Sequence, residues 1–186
     1  MIVAFLDANV LFPATLRSVL LELAHADLYA PLWSEDVHQE WMRSLVAARP
    51  NLPRERIARM RSLMEAHVGD VTVTGYESLI STLFLPDPDD RHVLAAAIHG
   101  RANVIVTSNL KDFPTDVLAP HGIVAQHPDM FIRGLLQTDP EGVIAALEAD
   151  RADLVNPPLT VGDYLAVLER SGLRETVAAL RVTGLM

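Results

Sequence analysis

The sequence contains no cysteine in its 186 residues. Disulfides and thiolate metal sites are therefore excluded, and any metal must be bound by oxygen or imidazole. Long hydrophobic runs are also missing near the amino terminus. The apolar run at residues 2–6 is too short to span a bilayer, Asp7 follows it directly, and no positively charged segment precedes it as a signal peptide requires. We therefore expect a cytoplasmic protein without a membrane partner.

Several motifs of nucleophilic and nucleotide-binding enzymes are absent too. The sequence has no glycine-rich phosphate loop, no H-E-x-x-H pair and no G-x-S-x-G elbow. A phosphohydrolase with Asp7 as nucleophile is disfavoured, because Asn9 stands two positions on and no nearby acid can protonate a leaving group. The chain has seven histidines without recognisable metal-ligand spacing, namely His25, His38, His67, His92, His99, His121 and His127.

The formal net charge of −9 argues at first against a nucleic-acid partner, because phosphates repel an acidic surface. The charge is unevenly distributed, however, and one stretch carries many arginines against the single acid Glu55. This stretch is equally compatible with phosphate binding, with a solvated helix face and with an acidic protein partner. Its arginines are Arg43, Arg49, Arg54, Arg56, Arg59 and Arg61.

Residues 1 to about 135 alternate short apolar runs with segments of helical periodicity, which predicts an α/β fold with a central parallel sheet. Five strands are predicted, near residues 2–6, 28–33, 71–74, 103–107 and 122–126. Helices are predicted near residues 13–23, 34–48, 54–67, 76–85, 89–99 and 130–136, then near 138–148, after Thr160 and near 173–180. We therefore divide the chain into an α/β domain at residues 1–136 and a small helical extension at 137–186.

Acidic residues follow the predicted strands in a regular way. Asp7 and Asp112 come after two different strands, Glu40 lies on the helix after a third, and Asp90 opens the helix that leads to the strand at 103–107. In a parallel sheet with right-handed crossovers these strand ends share one edge, so the four carboxylates are expected to converge. Oxygen-only clusters select Mg²⁺ or Mn²⁺. Such ions activate a water and stabilise the leaving oxygen of a phosphodiester, so that hydrolysis needs no protein nucleophile.

The acids around Asp90 also allow a simpler interpretation. Asp87, Asp89 and Asp90 crowd a proline-broken turn at the entrance of a helix, where negative charge is favourable and a side chain can cap the backbone. Capping alone explains one or two of them. Glu40, on the border of the apolar face of its helix, could likewise be an ordinary solvated residue.

Taken together, four separated segments resemble a PIN domain, and their order and spacing are similar to the VapC-type toxin ribonucleases of bacterial toxin–antitoxin systems. The match covers roughly residues 1–135 and is specific because the segments agree within one βα frame. The segments are Asp7-Ala-Asn-Val-Leu11, the helical region with Glu40, Asp87-Pro-Asp-Asp-Arg-His-Val-Leu-Ala-Ala-Ala97, and Val104-Ile-Val-Thr-Ser-Asn-Leu-Lys-Asp-Phe-Pro114.

The resemblance implies a site by position. Asp7, Glu40 and Asp90 match the acids of the family motif, and Asp112 matches the acid before phenylalanine in the last segment. Thr107 matches the hydroxyl residue that helps to hold the first aspartate. Asn109 replaces an aspartate often found three residues before the last acid, so a second metal is in doubt, because an amide brings one oxygen but no charge. Asn9 and Asp87 are supporting candidates, and Asn9 could instead only shape the turn.

The resemblance also implies a three-layer α/β/α fold, an Mg²⁺- or Mn²⁺-dependent endoribonuclease that cuts single-stranded or loop RNA, a homodimer, and a cognate antitoxin protein that inhibits it. The helical extension exceeds a minimal PIN domain. The competing hypothesis is a non-catalytic module that keeps the fold and uses the arginine-rich helix to bind RNA or a protein.

Overall fold

A parallel sheet of five strands forms the centre of the molecule. The computed structural model describes residues 1–69 and 71–183. The strands lie in the order β3-β2-β1-β4-β5. Their bounds are β1 Val3–Leu6, β2 Ala30–Ser34, β3 Thr72–Val73, β4 Val104–Val106 and β5 Val124–Gln126. All five predicted strands are confirmed, each slightly shorter than its apolar run.

Helices cover both faces of the sheet, which gives the three-layer α/β/α arrangement of the predicted fold class. The helices are α1 Ala8–Leu11, α2 Ala14–His25, α3 Glu35–Ala48, α4 Arg54–Val68, α5 Glu77–Ile80, α6 Arg91–His99, α7 Thr115–Leu118, α8 Pro128–Thr138, α9 Pro140–Asp153, α10 Val161–Arg170 and α11 Arg174–Thr183. Short 3-10 turns occur at Pro88–Asp90, Leu110–Asp112 and Ala119–His121.

The central strand β1 sets the register of the sheet. Phe5 pairs with Leu32 of β2 on one side and with Ile105 of β4 on the other. The backbone N–H of Asp7 continues this ladder by donating to the carbonyl of Val106 at 3.2 Å. Because the strands are parallel and in register, the residues that follow β1 and β4 lie side by side at one edge.

Helix α3 begins where its sequence signals predict. The Ser34 hydroxyl accepts a hydrogen bond from the backbone N–H of Val37 at 3.3 Å and caps the helix. Val37, Trp41 and Leu45 recur every four residues and are all buried. Trp33 and Trp41 are both 0% exposed, so neither side chain is available to stack on a base.

One predicted helix is wrong. The helix predicted at residues 76–85 is reduced to the single turn Glu77–Ile80. Leu83 and Leu85 are buried while Phe84 between them is exposed, which is the alternation of extended backbone rather than of a helix. The physical reason is Pro86, which disfavours helical backbone at the residue before it.

The carboxyl-terminal helices pack on the α/β part through a shared hydrophobic core. Helix α9 contacts α2, and α11 contacts α8. The buried carboxylate of Asp129 accepts from the backbone N–H groups of Glu175 at 2.8 Å and Thr176 at 2.9 Å, and so caps α11. The proposed division between residues 136 and 137 stays a prediction, and residues 184–186 of that extension lie outside the described residues.

Buried polar contacts also join α9 to its neighbours. The Asp150 carboxylate accepts hydrogen bonds from the hydroxyls of Ser18 on α2 and Tyr164 on α10, the latter at 2.6 Å. Within residues 1–69 and 71–183, no helix combines the length and apolar character needed to cross a bilayer.

Candidate metal centre

Asp7 sits at the end of β1 with only 3% of its surface exposed. Its Oδ2 accepts hydrogen bonds from the Thr107 hydroxyl at 2.7 Å and from the Asn9 amide at 2.5 Å. The Asn9 amide also donates to Thr107 Oγ1 at 2.9 Å, and Asn9 Oδ1 accepts from the Ser108 backbone at 2.9 Å. The edge between β1 and β4 is therefore a fixed network that holds one carboxylate.

Asp90 lies at the centre of the acidic residues. It ends the 3-10 turn Pro88–Asp90 and precedes α6. Asp87, Asp90 and Asp112 each present a carboxylate oxygen, and these three oxygens lie within 4.8 Å of one another. Asp87 also has the capping role considered from the sequence, because its side chain accepts from the Asp89 backbone N–H at 2.9 Å.

The surroundings of Asp90 raise its pKa. Burial raises its pKa to about 7, and the charges of Asp7, Asp87, Asp112 and Glu40 add to the shift. The pKa of Asp7 is raised by burial and by Glu40, against the hydrogen bond from Thr107, which lowers it. Of the four sequence-predicted acids, Asp90 and Asp112 thus share the three-oxygen group with Asp87, whereas Asp7 and Glu40 lie outside that group and act on Asp90 through their charges.

Asp112 is buried at the end of the 3-10 turn Leu110–Asp112. The Asn109 side-chain amide donates a hydrogen bond to Asp112 Oδ2. The Asn109 backbone N–H donates to Thr107 Oγ1 at 3.0 Å. At this position the asparagine thus supplies a donor to the neighbouring carboxylate, where an aspartate would add a repelling charge.

Glu40 has a partner that the sequence did not indicate. Its Oε2 lies 3.5 Å from Nε2 of His92 on α6. Burial opposes the charged imidazolium, but the hydrogen bond and charge of Glu40, with Asp36 and Asp7, outweigh it and raise the pKa of His92. Sequence reasoning gave His92 no role because its partner is on another helix, and no spacing within one segment reveals such a pair.

Glu40, Asp90 and His92 line an open cleft of about 450 Å³, the metal cleft. Its walls combine acids with one arginine, so a divalent cation and a phosphate could both be accommodated there. The lining residues are Asp36, Glu40, Arg43, Asp89, Asp90 and His92.

The arginines predicted as possible RNA or partner contacts fall into two groups. Arg43 lines the cleft and is exposed, as are Arg49, Arg54, Arg56 and Arg59. Arg61 differs, because its guanidinium lies 2.7 Å from a carboxylate oxygen of Glu35 and 2.7 Å from one of Glu65. Arg61 therefore joins α3 to α4 and has little free charge to offer a phosphate.

The residues present fit a hard divalent cation. The convergent donors are carboxylate oxygens, and three of them are close enough to bind one ion together. Burial is the largest cause of the raised pKa of Asp90, and the charges of Asp7, Asp87, Asp112 and Glu40 raise it further. A cation at this position would relieve the repulsion among these charges.

The comparison with known families agrees with this geometry. A model of the PIN domain matches residues 3–111, more than half of the chain. The chain belongs to the PIN domain family. A second model, described as the VapC50 C-terminal domain, matches residues 128–182 of this PIN-domain protein. That range begins with α8, so the carboxyl-terminal helices are also a recognised unit.

A curated relative of this PIN-domain protein comes from Mycobacterium tuberculosis and carries the name "Putative ribonuclease VapC50". The two are 43% identical over 94 residues, which cover 50% of this chain and 55% of the relative. The matched stretch thus spans about half the length of that relative. No solved structure gives a significant match.

Proposed function

We propose that this PIN-domain protein is a metal-dependent endoribonuclease that hydrolyses phosphodiester bonds in single-stranded or loop RNA. The observation that carries the proposal is the convergence of Asp87, Asp90 and Asp112, whose carboxylate oxygens lie within 4.8 Å of one another. The charges of Asp7 and Glu40 also act on Asp90. Carboxylates gathered this closely are suited to binding a functional cation.

A bound Mg²⁺ or Mn²⁺ would supply the Lewis-acid chemistry, lowering the pKa of water and stabilising the charge that develops on the phosphodiester. Asp87, Asp90 and Asp112 have the geometry to hold it. Asp7, oriented by Thr107 and Asn9, faces the same group of charges. With Asn109 in place of an acid, we propose one tightly held ion rather than two.

The remaining residues of the cleft suit an RNA strand. Arg43 lines the same cleft as Glu40 and Asp90 and could hold a backbone phosphate beside them. Arg49, Arg54, Arg56 and Arg59 are exposed further along α3 and α4 and offer sequence-independent attraction. The acid cluster itself repels RNA until a cation occupies it, which makes substrate binding depend on the metal.

We further propose that the protein is the toxin of a type II toxin–antitoxin system, acts in the cytoplasm, forms a homodimer and is inhibited by a cognate antitoxin protein. The support is the relative's name, which describes a VapC ribonuclease, and the match of residues 128–182 to the VapC50 C-terminal domain. A neighbouring reading frame that encodes a small DNA-binding protein would support this assignment.

The test is cleavage of a mixed-sequence single-stranded RNA by the parent, by Asp7→Asn and by the matched control Asp116→Asn, an exposed acid on α7. The parent and Asp116→Asn should cut the RNA in Mn²⁺ and stop in EDTA, while Asp7→Asn should not cut it. Equal cutting by Asp7→Asn would overturn the site. RNA bound by the parent but left uncut across a range of Mg²⁺ and Mn²⁺ would favour the non-catalytic binding module.

A further inference from the structure

A second pocket, of about 270 Å³, adjoins the metal cleft on the other side of Glu40. Glu40 lines both of them. The second pocket is otherwise lined by Ala8, Asn9, Phe12 and Ser44. Asn9 is the residue that holds Asp7, so the wall of this pocket is part of the same network as the candidate site.

The chemistry of this pocket differs from that of the metal cleft. Within the described part of the chain its lining carries no basic side chain, and its single charge is the carboxylate of Glu40. A phosphate would be repelled there, whereas Arg43 offers phosphate a partner in the metal cleft. Phe12 is a half-buried aromatic side chain, and aromatic faces stack on unpaired bases.

Contacts of Arg17 fix the walls of the pocket relative to each other. Nη1 of Arg17 donates to the carbonyl of Leu11 at 2.6 Å and to that of Phe12 at 3.3 Å. The same guanidinium lies 5.5 Å from the ring centre of Trp41, the neighbour of Glu40 on α3. Arg17 thus ties the turn that presents Phe12 to the helix that presents Glu40, which keeps the pocket at a fixed distance from the acids.

The polar groups of the pocket limit the hydrogen bonds that a ligand can make there. Both hydrogens of the Asn9 amide are donated, to Asp7 and to Thr107, so Asn9 offers a base no amide donor. Ser44 is exposed and lies one helical turn after Glu40 on α3, so its hydroxyl faces the same way. A hydroxyl can donate to or accept from the edge of any base, which gives contact with weak discrimination.

From these observations we propose that the pocket formed by Phe12, Ser44 and Glu40 binds one unpaired nucleobase of the RNA, that of the nucleotide next to the scissile phosphate. The inference rests on the proposed function and adds a substrate subsite to it. The base lies against Phe12 while the backbone turns toward Arg43, so the scissile phosphate is placed beside Asp90. A base must be unpaired to stack on Phe12 in this way, which agrees with the proposed preference for single-stranded RNA.

The test measures RNA affinity by fluorescence anisotropy in the Asp7→Asn background, with Ca²⁺ present and no cleavage. A labelled RNA is made with a single abasic site at each position in turn. Phe12→Leu keeps the apolar volume but removes the aromatic face, and should weaken binding about 5-fold or more, within the range of one stacked base. Ser44→Ala should weaken it less. Val182→Ala, which shortens an exposed apolar side chain on α11, is the control.

The abasic series separates stacking from a general structural effect. In the Asp7→Asn protein with Phe12 intact, the abasic site next to the cleavage position should weaken binding as much as Phe12→Leu does. In Phe12→Leu the same abasic site should reduce the RNA affinity little further, whereas in Val182→Ala it should reduce the affinity by the full amount. Full additivity of the abasic site and Phe12→Leu overturns the subsite alone. Failure of the protein to bind RNA at all overturns the proposed function.

Discussion

The hydroxyl of Thr107, directly after β4, donates a 2.7 Å hydrogen bond to Oδ2 of Asp7, directly after β1. The pairing of Leu6 with Val106 in the sheet brings these two residues side by side. Asn9 donates to the same oxygen, so both bonds hold the carboxylate in one orientation. The sheet register, rather than any local motif, thus positions the first acid of the site.

We expect Thr107→Val to weaken Mn²⁺ binding about 10- to 100-fold, the usual effect of removing a group that orients a metal ligand. Valine has the shape of threonine but donates no hydrogen bond, so Asp7 loses one of its two side-chain donors and its pKa rises further. The measurement is a calorimetric titration of the metal-free protein with Mn²⁺.

Thr107→Ser is the matched control for this change. Serine keeps the hydroxyl and should bind Mn²⁺ within a few-fold of the parent. Parent-like affinity in Thr107→Val would show that metal binding does not require the Thr107 hydroxyl.

The raised pKa of Asp90 predicts how stability depends on pH. Its folded pKa of about 7 lies above the ordinary value of 3.8, so the folded protein binds more protons than the unfolded chain between these values. The contribution of Asp90 to the stability of the metal-free protein should therefore increase as the pH falls from 8 through 7 toward 5. His38 acts in the opposite direction below pH 6.5, because burial lowers its pKa to about 4 and the unfolded chain then binds the extra proton. Comparison with a variant that lacks Asp90 separates the two contributions. The measurement is thermal melting in EDTA across this range.

Asp90→Asn removes the titrating group and part of the repulsion. This variant should melt at a higher temperature than the parent at pH 8, and its melting temperature should change less between pH 8 and pH 5. Saturating Mn²⁺ should stabilise the parent but not the variant. Parallel changes of melting temperature in the parent and in Asp90→Asn from pH 8 to pH 5 would contradict the raised pKa of Asp90.

Most of the sheet and the acids of the site followed from the sequence because each depends on local order along the chain. Apolar runs that end in Asp7 or in the polar residues after Val106 define strand ends, and parallel pairing then brings those ends together. What the sequence could not supply depends on contacts between distant segments. The bond of His92 to Glu40 and the pairing of Arg61 with Glu35 both join different helices.

The mistaken helix at residues 76–85 has a different origin. The segment contains residues that suit a helix, but Leu83 and Leu85 are buried on alternate positions against the core. Tertiary burial, together with Pro86, outweighed local propensity there. The attachment of the carboxyl-terminal helices to the α/β part was also not predictable from the sequence. Asp129 and Asp150 form hydrogen bonds with residues that are distant in the sequence.

Asn109→Asp tests whether the cluster can be made to hold metal more tightly. The new carboxylate would replace an amide that donates to Asp112, so the metal-free variant should be less stable than the parent. Mn²⁺ should bind this variant more tightly than the parent, because the added carboxylate attracts the cation. Calorimetry would give both affinity and stoichiometry.

Asn109→Ala separates the lost donor from the added charge. It should lose stability without any gain in Mn²⁺ affinity. If Asn109→Asp binds Mn²⁺ no better than Asn109→Ala does, a carboxylate at position 109 lies too far from the ion to contribute to its binding.

Arg43 and Arg61 should affect RNA binding differently, because Arg61 is already paired with acids. Arg43→Gln should weaken RNA binding and lower the dependence of affinity on salt concentration by about one ion, because one phosphate contact is removed. Arg61→Gln should leave the salt dependence unchanged, because its charge already faces Glu35 and Glu65. The measurement is RNA affinity of the uncut complex at several salt concentrations. The same loss of slope in both variants would contradict the division.

Asp129→Ala should reveal how firmly the carboxyl-terminal helices are attached. The Asp129 carboxylate is buried and accepts from two backbone N–H groups of α11 and from the Thr176 hydroxyl at 2.8 Å. Its removal leaves buried donors without an acceptor, so the free energy of unfolding should fall by about 2–4 kcal/mol. Urea denaturation followed by circular dichroism would measure it.

Asp139→Ala is the matched control, because Asp139 is also an aspartate at a helix start, is exposed, and accepts only the Gly142 backbone N–H at 2.9 Å. Its loss should cost about 0.5–2 kcal/mol, the range for a surface cap. Neither variant should change Mn²⁺ affinity, since both positions lie outside the acid cluster. If Asp129→Ala lowers the free energy of unfolding no more than Asp139→Ala does, apolar packing alone holds α11 against α8. The buried cap then adds no stability beyond that of a surface cap.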